Sequence, residues 1–229
     1  MVSATQLLAS LAFLGVLARS DGLHRRAIEL TASKDGVNAA GYYYSLYNDN
    51  HAGADYTEYP GNGRFQLKWN VDREYLGGKG YRGGSTRKLT WDGNFKAEGD
   101  YTLAAYGCTT DPVTEWYIVE QYGTGTPGNG HILGQVNVDG GVYDVHMLLH
   151  RNVPGMYGVT NFNQLWSVRR NHHTAGSVNV TAYFKHWKEL GLQPGNPVFQ
   201  MMTARGVHEH WKSRFPATLR AAHESERSL

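Results

Sequence analysis

One cysteine, Cys108, stands in 229 residues, so no intrachain disulfide can form and nothing in the fold is stapled covalently. An excess of charge of one sign is also lacking. The chain has 22 Lys and Arg against 20 Asp and Glu, a formal net charge of +2, and no Lys/Arg run marks a basic stripe. That balance gives nucleic acid no footing. Long apolar runs are missing beyond the first eighteen residues. "LLASLAFLGVLA" (residues 7–18) has signal-peptide length and is too short to span a bilayer comfortably, which argues against a membrane protein. Internal repeats and low-complexity linkers are absent too, so one domain is the economical reading.

The start of the chain reads as residues 1–18, a secretory signal, with Ala18 a small residue suited to a cleavage site, and residues 19–36, a propeptide or disordered leader. Arg25-Arg26 is a dibasic pair of the kind a propeptide is cut at. The folded body is expected to begin near Val37, and the protein to be extracellular. Asn179-Val180-Thr181 is a glycosylation sequon.

What is abundant is glycine, 28 residues, and tyrosine, 15 residues, with 12% aromatics overall. Glycine supplies turns, and aromatic side chains suit pleated, half-buried surfaces. Short alternating runs separated by Gly, Asn and Asp recur from residue 41 to residue 180, among them "GYYYSLYND", "GRFQLKWN", "YTLAAYGCT", "TEWYIVEQYG" and "FNQLWSVRR". That spacing marks an all-β sandwich or barrel. One segment departs from it: in "TAYFKHWKELGLQPG", Tyr183, Trp187 and Leu190 recur at i, i+4, i+7, then Gly191 and Pro194 stop continuation. One short amphipathic helix is expected there. "RNVPGMYGVTNF" (residues 151–162) is longer than the usual hairpin loop and reads either as a mobile flap over a cleft or as an ordinary surface loop.

Side chains alternate across a strand, so Glu115, Tyr117 and Val119 share one face while Trp116, Ile118 and Glu120 share the other; either can be the wet one. A carboxylate beside a tyrosine on an open sheet face suits sugar chemistry: the hydroxyl holds the carboxylate or a sugar hydroxyl, and the ring stacks on the pyranose. Tyr42, Tyr44, Tyr47, Trp69, Tyr81, Tyr106 and Trp166 offer further platforms, with Gln164 and Arg151 as donors for a neutral polysaccharide. Core packing is the competing role for each ring.

"DPVTEWYIVEQYG" resembles the nucleophile strand of family 11 glycoside hydrolases, the small jelly-roll endo-1,4-β-xylanases. "GYYYSLYND", a "GGKG" turn, "LAAYGCTTDP", the thumb "RNVPGMYG", "FNQLWSVRR" and the "FQMMTA" strand follow the family's order over residues 37–204. The resemblance implies a β-jelly roll of two packed, strongly curved antiparallel sheets with one short α-helix. It implies retaining endo-cleavage of xylan or xylooligosaccharides by a secreted monomer with no metal or organic cofactor. It makes Glu115 the nucleophile and Tyr106 and Tyr117 cleft tyrosines, with Gln164 and Arg151 facing substrate and nucleophile. Trp166 joins the cleft, and Pro154 sits at the thumb tip. Tyr47 stands at a position of sugar stacking where tryptophan is common, and Phe199 where a cleft tyrosine is common. Glu74 occupies the position neighbouring the acid/base.

A retaining glycosidase sets a nucleophile and an acid/base about 5–5.5 Å apart. The family's acid/base falls at residue 205, and this chain has Arg205. A guanidinium cannot donate a proton near neutral pH, because its pKa exceeds ~12. Beside Glu115 it is expected to form an ion pair and depress the carboxyl's pKa. After Ala204 a reading frame displaced by one nucleotide can encode Glu-Gly-Tyr-Thr-Ser-Thr-Gly-Ser in place of "RGVHEHWK", which restores the family's terminal motif in register. Residues 205–229 then read as an out-of-frame tail without strand alternation, expected to fray or form a loose helix. The other reading is a true inactivation: a catalytically silent xylan-binding or host-interaction protein on the same fold.

Overall fold

The computed structural model describes residues 26–49, 53–69, 73–128, 131–206 and 215–222. Its strands in chain order are β1 (Ile28–Leu30), β2 (Lys34–Val37), β3 (Tyr43–Asn48), β4 (Ala54–Glu58), β5 (Arg64–Trp69), β6 (Tyr75–Arg82), β7 (Lys88–Asn94), β8 (Tyr101–Thr110), β9 (Thr114–Tyr122), β10 (Gly134–Val138), β11 (Gly141–Gly155), β12 (Gly158–Arg169), β13 (Gly176–Asn179), β14 (Asn196–Gly206) and β15 (Phe215–Ala222), with one helix, α1 (Val180–Glu189), between β13 and β14. Two sheets result. The smaller runs β1-β4-β5-β15-β7-β13 and the larger β10-β11-β12-β9-β8-β14-β6-β3-β2. All pairs are antiparallel except β9 with β12, which run parallel. This is the all-β jelly roll with one helix.

Strand alternation divides the large sheet's side chains between two surfaces. Trp116 and Ile118 of β9, Leu165 of β12 and Met202 and Ala204 of β14 enter the core between the sheets, against Tyr56, Phe65, Leu67, Leu89 and Trp91. Tyr117 and Val119, Trp166 and Val168, and Phe199 and Met201 form a second cluster on the opposite, open face. The helix closes one end of the core. Asn179 caps it by accepting from the Ala182 N–H at 3.4 Å, and Tyr183, Phe184 and Trp187 are buried. Phe184 and Trp187 pack on Trp116 at 5.6 and 6.1 Å. Leu190, expected in that stripe, is instead the C-cap residue and 38% exposed, because the helix has already ended.

Four expectations need correction. Residues 28–30 and 34–37, read as part of a disordered leader, pair with β4 and β3, so the folded body begins well before Val37. Ser33 Oγ accepts from the Asn48 N–H at 2.9 Å and helps tie this segment down. The "GGKG" turn is strand β6, and it is buried nearly throughout because β3 and β14 flank it on both edges. A Cβ on Gly80 would collide with the Gln200 carbonyl and Met201, which accounts for the glycine. The long thumb loop is a continuation of β11 and β12, paired down to Gly155 and Gly158. Finally, residues 215–222 do not fray. They form β15, hydrogen-bonded between β5 and β7. Phe215, Ala217 and Leu219 alternate with Pro216, Thr218 and Arg220, a two-residue period that the charge and histidine around it obscure. Residues 1–25, 207–214 and 223–229 lie outside the described residues, and with them the secretory signal, the dibasic pair and the rest of the tail.

Candidate active site

Glu115 opens onto the face that carries the second cluster, two residues from Tyr117 on β9. The parallel β9–β12 register sets Gln164 directly opposite it, and Gln164 Nε2 donates to Glu115 Oε2 at 3.0 Å. The Tyr117 hydroxyl donates to the same oxygen at 3.5 Å. The thumb comes close as well: the main-chain N–H of Met156 lies near enough to the carboxylate to favour its charged form. The tip of the β11–β12 hairpin can reach Glu115 only by folding back over the open face, and this makes the face a cleft.

Below the thumb the floor is aromatic. Tyr117 lies flat on Trp166, with centroids 4.0 Å apart and planes at 8°. Tyr106 stacks on the other side of Tyr117 at 4.8 Å, Phe199 meets Tyr106 edge-on at 5.5 Å, and Tyr43 follows at 5.3 Å. Tyr47 shares Tyr43's face and is 48% exposed, a ring left open for stacking. Burial pushes the Tyr106 and Tyr117 hydroxyls well above their ordinary range, so both stay protonated donors.

Arg205 comes from β14, two strands from β9. Its guanidinium lies 5.7 Å over the Tyr117 ring and 5.8 Å over that of Trp166. Glu115 and Arg205 thus bear on the same tyrosine, one at its hydroxyl and one over its ring. The ion pair, however, is not with Glu115. Arg205 Nε and Nη2 donate to Glu74 Oε1 at 2.9 and 2.7 Å. Glu74 lies just before β6, whose Tyr75 and Leu76 pair with Gly206 and Arg205. The expected depression of Glu115 is accordingly corrected. Burial raises its pKa above the ordinary carboxylate value. Gln164, the Met156 N–H and then Arg205 oppose that shift, and the Glu74 charge adds to it.

The structure brings together Glu115, Tyr106, Tyr117, Gln164, Trp166, Phe199, Arg205 and Glu74. Pro154 lies on the exposed thumb, paired with Val159. Arg151 is not brought in. It is exposed, and it stands where the β11–β12 register breaks between His150 and Val153, so strand alternation does not carry it onto the cleft face. With His150, Pro112 and Phe162 it lines a hollow of about 290 Å³ at the foot of the hairpin. Trp69 and Tyr44 also leave the cleft set: Trp69 is buried between the sheets and Tyr44 packs against that core. Sequence reasoning passed over Tyr43, one residue out of phase with Tyr42 and Tyr44, and the Met156 N–H, which side-chain reading cannot detect. The tip's approach to Cys108 was also missed: the Tyr157 hydroxyl comes near the Cys108 thiol, which faces Glu115 across β8 and β9. Burial pushes that thiol up to about 12, which leaves it an inert neutral group. Among the described residues no three His, Cys, Asp or Glu side chains gather into a metal-holding group. Nor is any described helix long and apolar enough to cross a membrane.

A jelly roll with a thumb folded over a carboxylate on an aromatic floor is the architecture of a sugar-chain hydrolase. The model of the glycosyl hydrolases family 11 matches residues 39–215, and the chain belongs to that family. It is 38% identical over 226 residues to ethylene-inducing xylanase 1 of Verticillium dahliae, covering 96% of this chain and 99% of that one. Endo-1,4-beta-xylanase B of Gibberella zeae is 37% identical over 77% of this chain and 78% of its own. Ethylene-inducing xylanase of Hypocrea rufa is 39% identical over 72% and 75%. The family match runs eleven residues past Ala204, into the segment read as displaced.

Proposed function

We propose that the protein is a secreted, monomeric endo-1,4-β-xylanase of the retaining type, complete except for its acid/base. Xylan enters the cleft under the thumb and stacks on Tyr47 and the floor formed by Tyr106, Tyr117 and Trp166. Glu115 attacks the anomeric carbon, oriented by Gln164 and Tyr117. The observation that carries this reading is the Glu115 carboxylate, set on the cleft face with the Gln164 amide and the Tyr117 hydroxyl donating to it and burial raising its pKa. Desolvation of that kind keeps a nucleophile reactive.

The step this chain performs poorly is protonation of the leaving oxygen. Arg205 cannot supply the proton, and Glu74 is engaged with the guanidinium. On native xylan the chain therefore turns over far below the rate of its Arg205→Glu variant. Titration with xylohexaose, beside a reducing-sugar assay on xylan for both proteins, tests this. Absence of xylohexaose binding by a folded chain refutes it.

Arg205 favours a second reading, a binding protein without turnover. Two relatives are named ethylene-inducing xylanases, which agrees with recognition by a host in place of catalysis. Binding with no gain from Arg205→Glu selects it. The displaced frame after Ala204 is our account of how Arg205 arose. Genomic sequence across that codon tests it, and absence of a glutamate codon under any one-base shift removes it.

A further inference from the structure

We infer that this chain has an activity of its own: glycosyl transfer from donors whose leaving group needs no proton, to acceptors that are anions. The inference rests on the reading of Glu115 as nucleophile and extends it to what Arg205 does in place of the missing acid. Arg205 is not a vacancy in the cleft. Its side chain is 17% exposed, is seated over Tyr117 and Trp166, and is fixed by two hydrogen bonds to one oxygen of Glu74. Among the described residues its Nη1 has no acceptor, so one edge of a delocalised cation remains to receive an anion. Glu74 holds the guanidinium in place, while burial and the ring faces keep its charge poorly screened.

Two steps follow. In the first, a Glu115 carboxylate oxygen bonds to the anomeric carbon, and the bond from that carbon to the leaving oxygen breaks. The electron pair departs with the leaving group as a phenolate or carboxylate, with no proton transferred. β-Xylosides of acidic phenols and acyl xylosides are donors of this class. In the second step water is a poor acceptor, since it must lose a proton and no free base stands opposite Glu115. An acceptor that is already an anion, such as azide, a thiolate or a carboxylate, has no proton to lose. It bonds to the anomeric carbon, the bond to the Glu115 oxygen breaks, and its electron pair returns to the carboxylate. Arg205 draws both anions, the one that leaves and the one that arrives.

The test uses the full chain, 2,4-dinitrophenyl β-xylobioside as donor and sodium azide as acceptor. We expect a burst of dinitrophenolate equal to the protein present, a xylobiosyl adduct mapped by mass spectrometry to Glu115, and slow turnover thereafter. Azide should raise that turnover at least about tenfold and yield β-xylobiosyl azide. Glu115→Gln should give neither burst nor adduct while still binding xylohexaose, which shows that it is folded. Arg205→Gln should form the adduct but need several-fold more azide for half the acceleration, a change that a merely structural arginine would not produce. The inference is overturned if the chain binds xylohexaose and Arg205→Glu cleaves xylan, yet no adduct forms. It is overturned equally if the adduct forms and azide fails to accelerate its breakdown. Loss of xylohexaose binding and of xylan cleavage by Arg205→Glu would instead refute the underlying assignment of the cleft.

Discussion

Arg205→Glu is the most informative single change, because it sets a carboxyl where the cleft has a cation and alters no strand pairing. The position is half-buried within β14, between β6 and β8, so the new side chain starts from the same backbone site. Two carboxylates surround it, Glu74 and the buried Glu115, and like charges at close range disfavour a second ionisation. The introduced group should therefore hold its proton above the ordinary carboxylate range, as a general acid must. A positioned acid contributes about 10²–10⁴-fold, equivalent to roughly 3–5.5 kcal/mol off the barrier. Loss of the Arg205 cation also removes an influence that lowers Glu115, so the nucleophile's pKa rises further. Activity on xylan should then be bell-shaped in pH: rising as Glu115 ionises, falling as the introduced acid loses its proton. Reducing-sugar release from xylan across pH, with xylohexaose titration as the control for folding, reads the result. A variant that binds xylohexaose as the parent does, yet gains less than about tenfold, would refute the claim that one missing acid separates this chain from a working hydrolase.

Other consequences are as direct. Glu115 has a folded pKa raised by burial, so its contribution favours the folded state at pH below the unfolded carboxyl value and is lost as pH rises through the folded one. Glu115→Gln should accordingly raise the Tm at neutral pH, with the gain shrinking on acidification, measured by thermal melts from pH 3 to about 8. Glu120 is 1% exposed and is held by Tyr143 at 2.7 Å, Arg169 at 3.6 Å and His173 at 3.3 Å. Arg169→Met should destabilise the fold by about 3–5 kcal/mol in urea unfolding, since it strands a buried carboxylate.

The strands that alternate strictly were legible from the chain alone, and so was the helix, because a period of two or of 3.6 survives in the letters. Glu115 with Tyr117 was legible for the same reason: once Trp116 and Ile118 are assigned to the core, the carboxylate must face outward. What misled was local chemistry without a period. "YLGGKGYR" reads as a turn because three glycines occupy it, yet Gly78 and Gly80 make room for β14 to pass closely and Gly77 for Leu67 and Tyr56 of the core. Arg151 was misplaced by one residue, since the irregular pairing between His150 and Val153 and the choice of phase are set by the partner strand. The partner of Arg205 was invisible for a further reason. Glu74 lies 131 residues away in sequence, and only the β6–β14 register brings the two together.

The positions of β14 and β15 bear on how the molecule is made. Each is an inner strand, one flanked by β6 and β8, the other by β5 and β7, and both follow in the chain every strand they pair with. Until they emerge, four strands present bare backbone edges within what will become two sheets, a state open to pairing with other chains. Assembly is thereby deferred until both strands have been made, and loss of residues 196–222 removes the middle of both layers instead of trimming a rim.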